Sequence, residues 1–283
     1  MEDTQITQRF ISLEKIIASK NKRLLKILPK PLLNRFKKLI CLDRINEIIY
    51  KFRDKKGVDF ADALLQELKI NIQIINPENI PQNREIIVAN HPIGSIDGVS
   101  LISVIGRKRK DVLFPVNDIL CQLPGLKSVF VPINKYGKNS SNHDALSEAF
   151  AGDRPICFFP AGTESKIIDG KLQDFKWKKS FVRYATKYSR DIVPVYIEGM
   201  NSKGFYRLYK IRKFFGIKFD LEMILLPREM FKYEGKTITM TFAKPIDVKQ
   251  IDKRLIPVVW AEKIRDFVYK LKEDKSAVFS ANI

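Results

Sequence analysis

An imidazole and a carboxylate six positions apart, His91 and Asp97, are the pair in this chain best suited to moving a proton. They lie in Ile86-Ile87-Val88-Ala89-Asn90-His91-Pro92-Ile93-Gly94-Ser95-Ile96-Asp97-Gly98, where an apolar run meets Asn-His-Pro, a Gly/Ser turn and then Asp-Gly. A loop of this length can fold Asp97 back to accept a hydrogen bond from imidazole Nδ1–H. Nε2 is then left to take the proton of a hydroxyl. The division of labour is that of a Ser-His-Asp triad, with the substrate's own hydroxyl replacing the serine. A histidine at a turn also serves as a packing or capping group. The chain has only two histidines, however, and this one follows a buried-strand pattern. The other, His143 in Asn142-His143-Asp144, has the polar setting of a helix N-cap and reads as structural.

A second loop with chemical content is Phe159-Pro160-Ala161-Gly162-Thr163-Glu164-Ser165, which follows the apolar run Ile156 to Phe159. Its glycine and hydroxyls would offer backbone N–H groups and O–H donors to an anionic headgroup. An ordinary tight turn is the plainer alternative.

Both loops need strands to carry them. Short β-rich runs, Ile70 to Ile75, Glu85 to Ala89, Val112 to Val116, Val129 to Ile133, Pro155 to Phe159 and Ile192 to Ile197, alternate with helical stretches. Most are continuously apolar, as strands covered on both faces are. Helices are predicted for Gly98 to Ile105, His143 to Phe150, Lys178 to Tyr188 and Val258 to Leu271, and a half-exposed late strand for Lys236 to Phe242. Residues 1–70 read as helical: Leu32, Leu33, Phe36, Leu39 and Ile40 share one face, and Asp59 is expected to cap a helix through Leu68. The fold class is α/β, a mixed, largely buried sheet flanked by helices with an N-terminal helical segment. Residues 1–70 are expected to contact a membrane and residues 71–283 to form the catalytic α/β domain.

Lys and Arg number 51 against 32 Asp and Glu, a formal charge of +19. Such an excess favours an anionic partner: nucleic acid, an anionic membrane leaflet or an acidic carrier protein. Nucleic acid is disfavoured, because no helix-turn-helix, RNP-like or zinc-finger pattern appears. The stretch Lys203 to Lys218 interleaves Phe205, Tyr206, Tyr209, Phe214 and Phe215 with lysines and arginines, a composition suited to a bilayer interface. No apolar run approaches the roughly 18 to 20 residues of a spanning helix. The opening MEDTQITQRF is polar and acidic, unlike a secretory signal. Peripheral attachment to the cytoplasmic face of an inner membrane is therefore expected. Three scattered cysteines give neither a disulfide framework nor a zinc spacing. The absence of GxxxxGK[ST], GxGxxG and GxSxG patterns points away from ATP, dinucleotides and a serine-hydrolase elbow.

Asn90-His91 with Asp97 resembles the NHxxxxD motif of the glycerol-3-phosphate and lysophosphatidic acid acyltransferase superfamily. Phe159 to Ser165 resembles that family's FPEGTRS block, and Val193-Pro194-Val195-Tyr196-Ile197 its VPV-type strand. The resemblance covers roughly residues 70–245. It implies an O-acyltransferase with His91 as general base, Asp97 as its partner, and substrate contacts from Asn90, Phe159, Pro160, Gly162, Thr163, Glu164 and Ser165. It also implies no cofactor, an acyl thioester on acyl carrier protein or coenzyme A as co-substrate, and a lyso-lipid acceptor. Ala161 stands where the family has Glu and Glu164 where it has Arg, and Val131 to Lys135 lacks the family's second arginine. Those arginines are associated with the acceptor's phosphate. Lys135, Lys178 or Lys179 would have to replace them, as point charges rather than bidentate forks. A 1-acylglycerol-3-phosphate acceptor is accordingly disfavoured. The FPAG variant, Trp177 to Phe181, Ile197 to Ser202 and Leu225 to Glu229 resemble the haemolysin-like branch, which includes O-acyltransferases of ornithine and glycine lipid synthesis. That likeness implies a lyso-aminolipid acceptor.

Overall fold

In the computed structural model, residues 10–20, 27–117, 120–133, 140–217 and 220–281 are described. Helices α1 (Leu13–Lys20), α2 (Lys30–Leu39), α3 (Leu42–Lys51) and α4 (Val58–Glu67) precede the first strand. Asp59 lies inside the first turn of α4 rather than at its cap. The cap is Gly57, whose φ of 57° and ψ of −125° suit a residue without Cβ. The Gly57 N–H bonds Gly125 O at 2.7 Å.

Strands β1 (Asn71–Ile75), β2 (Ile86–Ala89), β5 (Ile156–Phe158), β8 (Ile192–Ile197) and β9 (Thr237–Phe242) form one sheet, in the order β1-β9-β8-β2-β5. Only the β8–β9 pair is antiparallel, so the sheet is mixed, as anticipated. A parallel bridge between Leu113 and Ile156 joins it to the small parallel pair β3 (Phe114–Asn117) and β4 (Phe130–Ile133). The strand expected to be half-exposed, β9, lies between β1 and β8; Thr237 is exposed and Thr239 half-buried, whereas Ile238, Met240, Thr241 and Phe242 are fully buried. The alternation of exposed and buried residues thus holds over its first half, and the strand is buried from Met240 onward.

Successive residues of the central strands feed two cores. Ile87, Ala89, Val193, Val195 and Ile197 pack with α4 and α5 (Ile96–Gly106). Ile86, Val88, Ile192 and Tyr196 face Trp177, Phe181, Trp260 and Ile264 on the other side. That second layer comprises α7 (Ser180–Tyr188), α10 (Pro257–Lys270) and Phe150 of α6 (Ser140–Ala151). A period of two with both faces apolar explains the unbroken hydrophobic runs. Each such Ile or Val contributes about 1.5–3 kcal/mol by burial.

A hairpin and two helices escaped the sequence reading. Lys166–Ile168 (β6) and Lys171–Gln173 (β7) form a hairpin about Asp169-Gly170, both with positive φ. An Asp-Gly pair between short apolar runs is the sequence signal for that turn. Residues Lys203–Phe214 form helix α8, followed by the short helix α9 (Leu226–Phe231).

Candidate active site

Strands β8, β2 and β5 run parallel, so their carboxyl ends share one edge of the sheet. Three loops leave that edge: Asn90 to Asp97, Phe159 to Ser165 and Glu198 to Ser202. This is where α/β sheets place their ligands.

At the first loop, His91 Nδ1 lies 3.0 Å from Asp97 Oδ2. The same oxygen accepts the Ile93 N–H at 3.0 Å and the Gly94 N–H at 3.3 Å. The loop is thus wound around the carboxylate, which is fully buried at the start of α5. Those two amides are thereby engaged and are not free to meet an oxyanion. Gly94, with φ of 85°, permits the close approach of the neighbouring loop: a Cβ there would sit 2.8 Å from Glu164 Cβ and Leu226 Cδ2. The imidazole stacks on Phe159, centroids 3.9 Å apart, and its side chain keeps 15% of its surface. Burial opposes its protonation. Asp97, with Asp174 and Glu164 behind it, outweighs that effect and holds the His91 pKa above the ordinary value.

Asn90 is buried and closes a two-way clamp on β8, donating to Ile197 O at 2.9 Å and accepting from Ile197 N–H at 2.7 Å. The clamp fixes the strand end from which His91 springs.

The second loop is locked to the first. Ser165 N–H donates to His91 O at 2.7 Å, and Ser165 Oγ donates to Asp174 Oδ1 at 2.5 Å. Asp174 also accepts from the His91 N–H at 3.3 Å and from Trp177 Nε1 at 2.9 Å. Burial pushes its pKa up, partly countered by those donors. The sequence reading missed Asp174, because only the β6–β7 hairpin brings it back beneath the histidine.

Glu164 is buried. It accepts from Thr163 Oγ1 at 2.8 Å and pairs with buried Lys166, which also meets Glu222 at 3.1 Å. Glu222 in turn takes both arms of Arg212, at 2.7 and 2.9 Å, and Asp220 pairs with Arg212 at 3.0 Å. Of the anticipated substrate contacts, therefore, Asn90, Glu164 and Ser165 spend polar atoms on protein partners. Pro160 is buried too, whereas Phe159 and Thr163 are half-buried and Gly162 is exposed. Lys179 occupies the N-cap of α7. Lys135 lies outside the described residues, and so does the side chain of His143. Among the described residues no cluster of His, Cys, Asp and Glu could hold a metal ion.

A family model described as acyltransferase matches residues 15–277. This chain belongs to that acyltransferase family. It is 40% identical over 264 residues to the lyso-glycine lipid O-acyltransferase of Bacteroides thetaiotaomicron, a match covering 92% of this chain and 97% of the relative. It is 39% identical to the enzyme of the same name from Phocaeicola vulgatus, covering 92% of this chain and 95% of that one. Among solved structures, the 1-acyl-sn-glycerophosphate acyltransferase of Thermotoga maritima aligns with a TM-score of 0.46 at 18% identity, over 78% of this chain and 83% of that one. The acyltransferase and its two bacterial relatives thus align over nearly their whole lengths. The membership agrees with the expectation drawn from the loops at His91 and Phe159.

Proposed function

We propose that this acyltransferase moves a fatty acyl group from a thioester to the hydroxyl of a lyso-aminolipid of the glycine-lipid type. The observation that carries the mechanism is the 3.0 Å contact of His91 Nδ1 with Asp97 Oδ2, on an imidazole that remains partly exposed. The choice of acceptor rests on the full-length similarity to two lyso-glycine lipid O-acyltransferases.

Asp97 keeps the proton on Nδ1, so Nε2 takes the proton of the acceptor hydroxyl. The hydroxyl oxygen attacks the thioester carbonyl and forms the new C–O bond. The tetrahedral intermediate then collapses with cleavage of the C–S bond, and the imidazolium returns its proton to the departing thiolate. Asp97 stabilises the imidazolium between these steps. The donor is acyl carried on acyl carrier protein or coenzyme A, either of which the basic surface would attract.

Among the described residues no helix is long and apolar enough to cross a membrane. The reading adopted is peripheral attachment at the cytoplasmic face of the inner membrane, to anionic lipid. Phe214, Phe215 and Ile217 at the end of α8 are 85%, 68% and 41% exposed, beside exposed Arg207, Lys210 and Lys213. Aromatic side chains at headgroup depth with flanking cations make an interfacial anchor.

The test is transfer from a labelled acyl thioester to N-(3-hydroxyacyl)glycine or lysophosphatidic acid by purified wild type and His91→Ala. Transfer to the glycine acceptor that vanishes in the variant supports the reading. Transfer to lysophosphatidic acid alone, or an unaffected His91→Ala enzyme, overturns it.

A further inference from the structure

Between the catalytic loops and α8 lies a buried ion network that the proposed mechanism leaves without a role. Its centre is Lys166, the first residue of β6, whose side chain is 3% exposed. The ammonium pairs with Glu164 on one side and with Glu222, 3.1 Å away, on the other. The rings of Phe205 and Tyr209, both on α8, cover it at 4.8 and 5.0 Å to their centroids. Glu222 stands in the short turn Leu221–Leu225 and is itself gripped by the fork of Arg212. With almost no surface exposed, the ammonium is held by two carboxylates and two rings rather than by solvent.

On its other side the network bears on both ends of the loop that carries the imidazole. Glu164 packs against Gly94, where a Cβ would sit 2.8 Å from Glu164 Cβ, and the Gly94 N–H donates to Asp97. The next residue, Ser165, donates its N–H to His91 O at 2.7 Å. Leu226, four residues beyond Glu222, reaches the same glycine: its Cδ2 would also be 2.8 Å from that Cβ. Lys166 thus joins two segments, Glu164 to Ser165 and Glu222 to Leu226, that press on the turn between His91 and Asp97. Stability is a poor explanation for such a network. Desolvation offsets most of the Coulomb attraction of a buried pair, and apolar side chains of the same volume hold a fold together as well. Fixed geometry is what paired charges add.

We infer that Lys166 is a positioning residue for the transfer reaction. By holding Glu164 to Glu222 it keeps Ser165 and Gly94, and through them His91 and Asp97, where the base must stand. Lys166 itself touches no reacting atom. The inference rests on His91 as general base and holds whichever hydroxyl is the acceptor. Misplacing a reacting group by about 1 Å costs on the order of 10²-fold in rate, so a slight slackening of this loop shows in kcat.

The experiment compares the full-length wild type with the double variant Glu164→Gln/Lys166→Met. The two substitutions remove one negative and one positive charge together, and Glu222 keeps the fork of Arg212, so no buried charge is left alone. The double variant is expected to melt within about 5 °C of wild type. Its kcat should fall about tenfold or more, with KM for acceptor and thioester within about threefold. A kcat within about threefold of wild type overturns the inference. A KM that rises at unchanged kcat also overturns it, by assigning Lys166 to substrate binding. If the double variant does not fold, Glu222→Gln, which removes the charge on the far side of Lys166, takes its place with the same outcomes. His91→Ala is assayed in parallel. Should it retain activity, the general-base reading falls, and nitrogen NMR of the neutral imidazole decides instead. The chain has two histidines, so a His143→Gln background leaves His91 alone in the spectrum. Loss of the Nδ1–H tautomer in the double variant supports positioning by Lys166, and an unchanged spectrum overturns it.

Discussion

The imidazole at position 91 is governed by two opposed influences, burial and a set of carboxylates, and the carboxylates prevail. A general base works only when neutral. Acceptor turnover should therefore fail as pH drops through a pKa above the ordinary value of about 6.5, and kcat/KM against pH measures it. Replacing Asp97 with Asn removes the strongest of the raising influences. The acidic limb should move to lower pH while the plateau falls on the order of 10²-fold or more, with His91→Ala at least as severe. An acidic limb that stays in place would disconnect the two residues. Asp174→Asn tests the support beneath them. The carboxylate accepts from His91 N–H, Ser165 Oγ and Trp177 Nε1, and an amide offers only one oxygen to three donors. A loss of about 1–3 kcal/mol in urea unfolding is expected. The NHxxxxD spacing made His91 and Asp97 legible from the sequence, since both belong to one short loop. Asp174 was not legible, because 83 residues separate it from the backbone N–H it holds.

Among the elements, the packing of α4 on α5 and the closure of α6 are the most exacting contacts. A Cβ at Gly106 would lie 2.3 Å from Val58 Cγ1, so Gly106→Ala should cost about 1–3 kcal/mol through overpacking, read as a lowered Tm. Arg190 is buried and donates to Phe150 O at 2.7 Å, Arg84 O at 2.6 Å and Arg154 O at 3.0 Å, tying the end of α6 to the entries of β2 and β5. Burial lowers its pKa to about 10, so it remains charged at neutral pH. Arg190→Met would strand those carbonyls, and a destabilisation of at least about 3 kcal/mol should appear in denaturant titration. The strands were legible because unbroken apolar runs of this length have few other uses. The β6–β7 hairpin was marked by Asp169-Gly170, but its strands are three residues each, too short for periodicity to register.

At the scale of the whole molecule, the excess of 19 positive charges and the exposed end of α8 bear on where the enzyme works. If Phe214 and Phe215 enter the interface, Phe214→Ser with Phe215→Ser should weaken binding to anionic vesicles by about tenfold or more in a sedimentation assay. Added salt should weaken the wild type further by screening the flanking cations. Equal binding by both proteins would remove α8 from the membrane contact. The first helices are not wholly separate from the catalytic body: Ile48, Ile49, Val58, Phe60, Leu64 and Leu65 share a core with Ile87 and Val195.

By itself the amino-acid order determined the α/β class, the places of the strands and the two loops that carry the histidine and the glycine. Each of these is written in neighbouring residues, through apolar runs, turn-forming pairs and motif spacing. Tertiary structure alone decided how the candidate side chains are used. It turned Asn90 into a clamp on Ile197 across 107 residues, sealed Glu164 and Ser165 against protein partners, and set Lys178 rather than Lys179 in the wall beside Gly162. A polar side chain takes whichever partner the sheet brings within about 3 Å, and the strand order that brings those partners together is not encoded in any single stretch of chain.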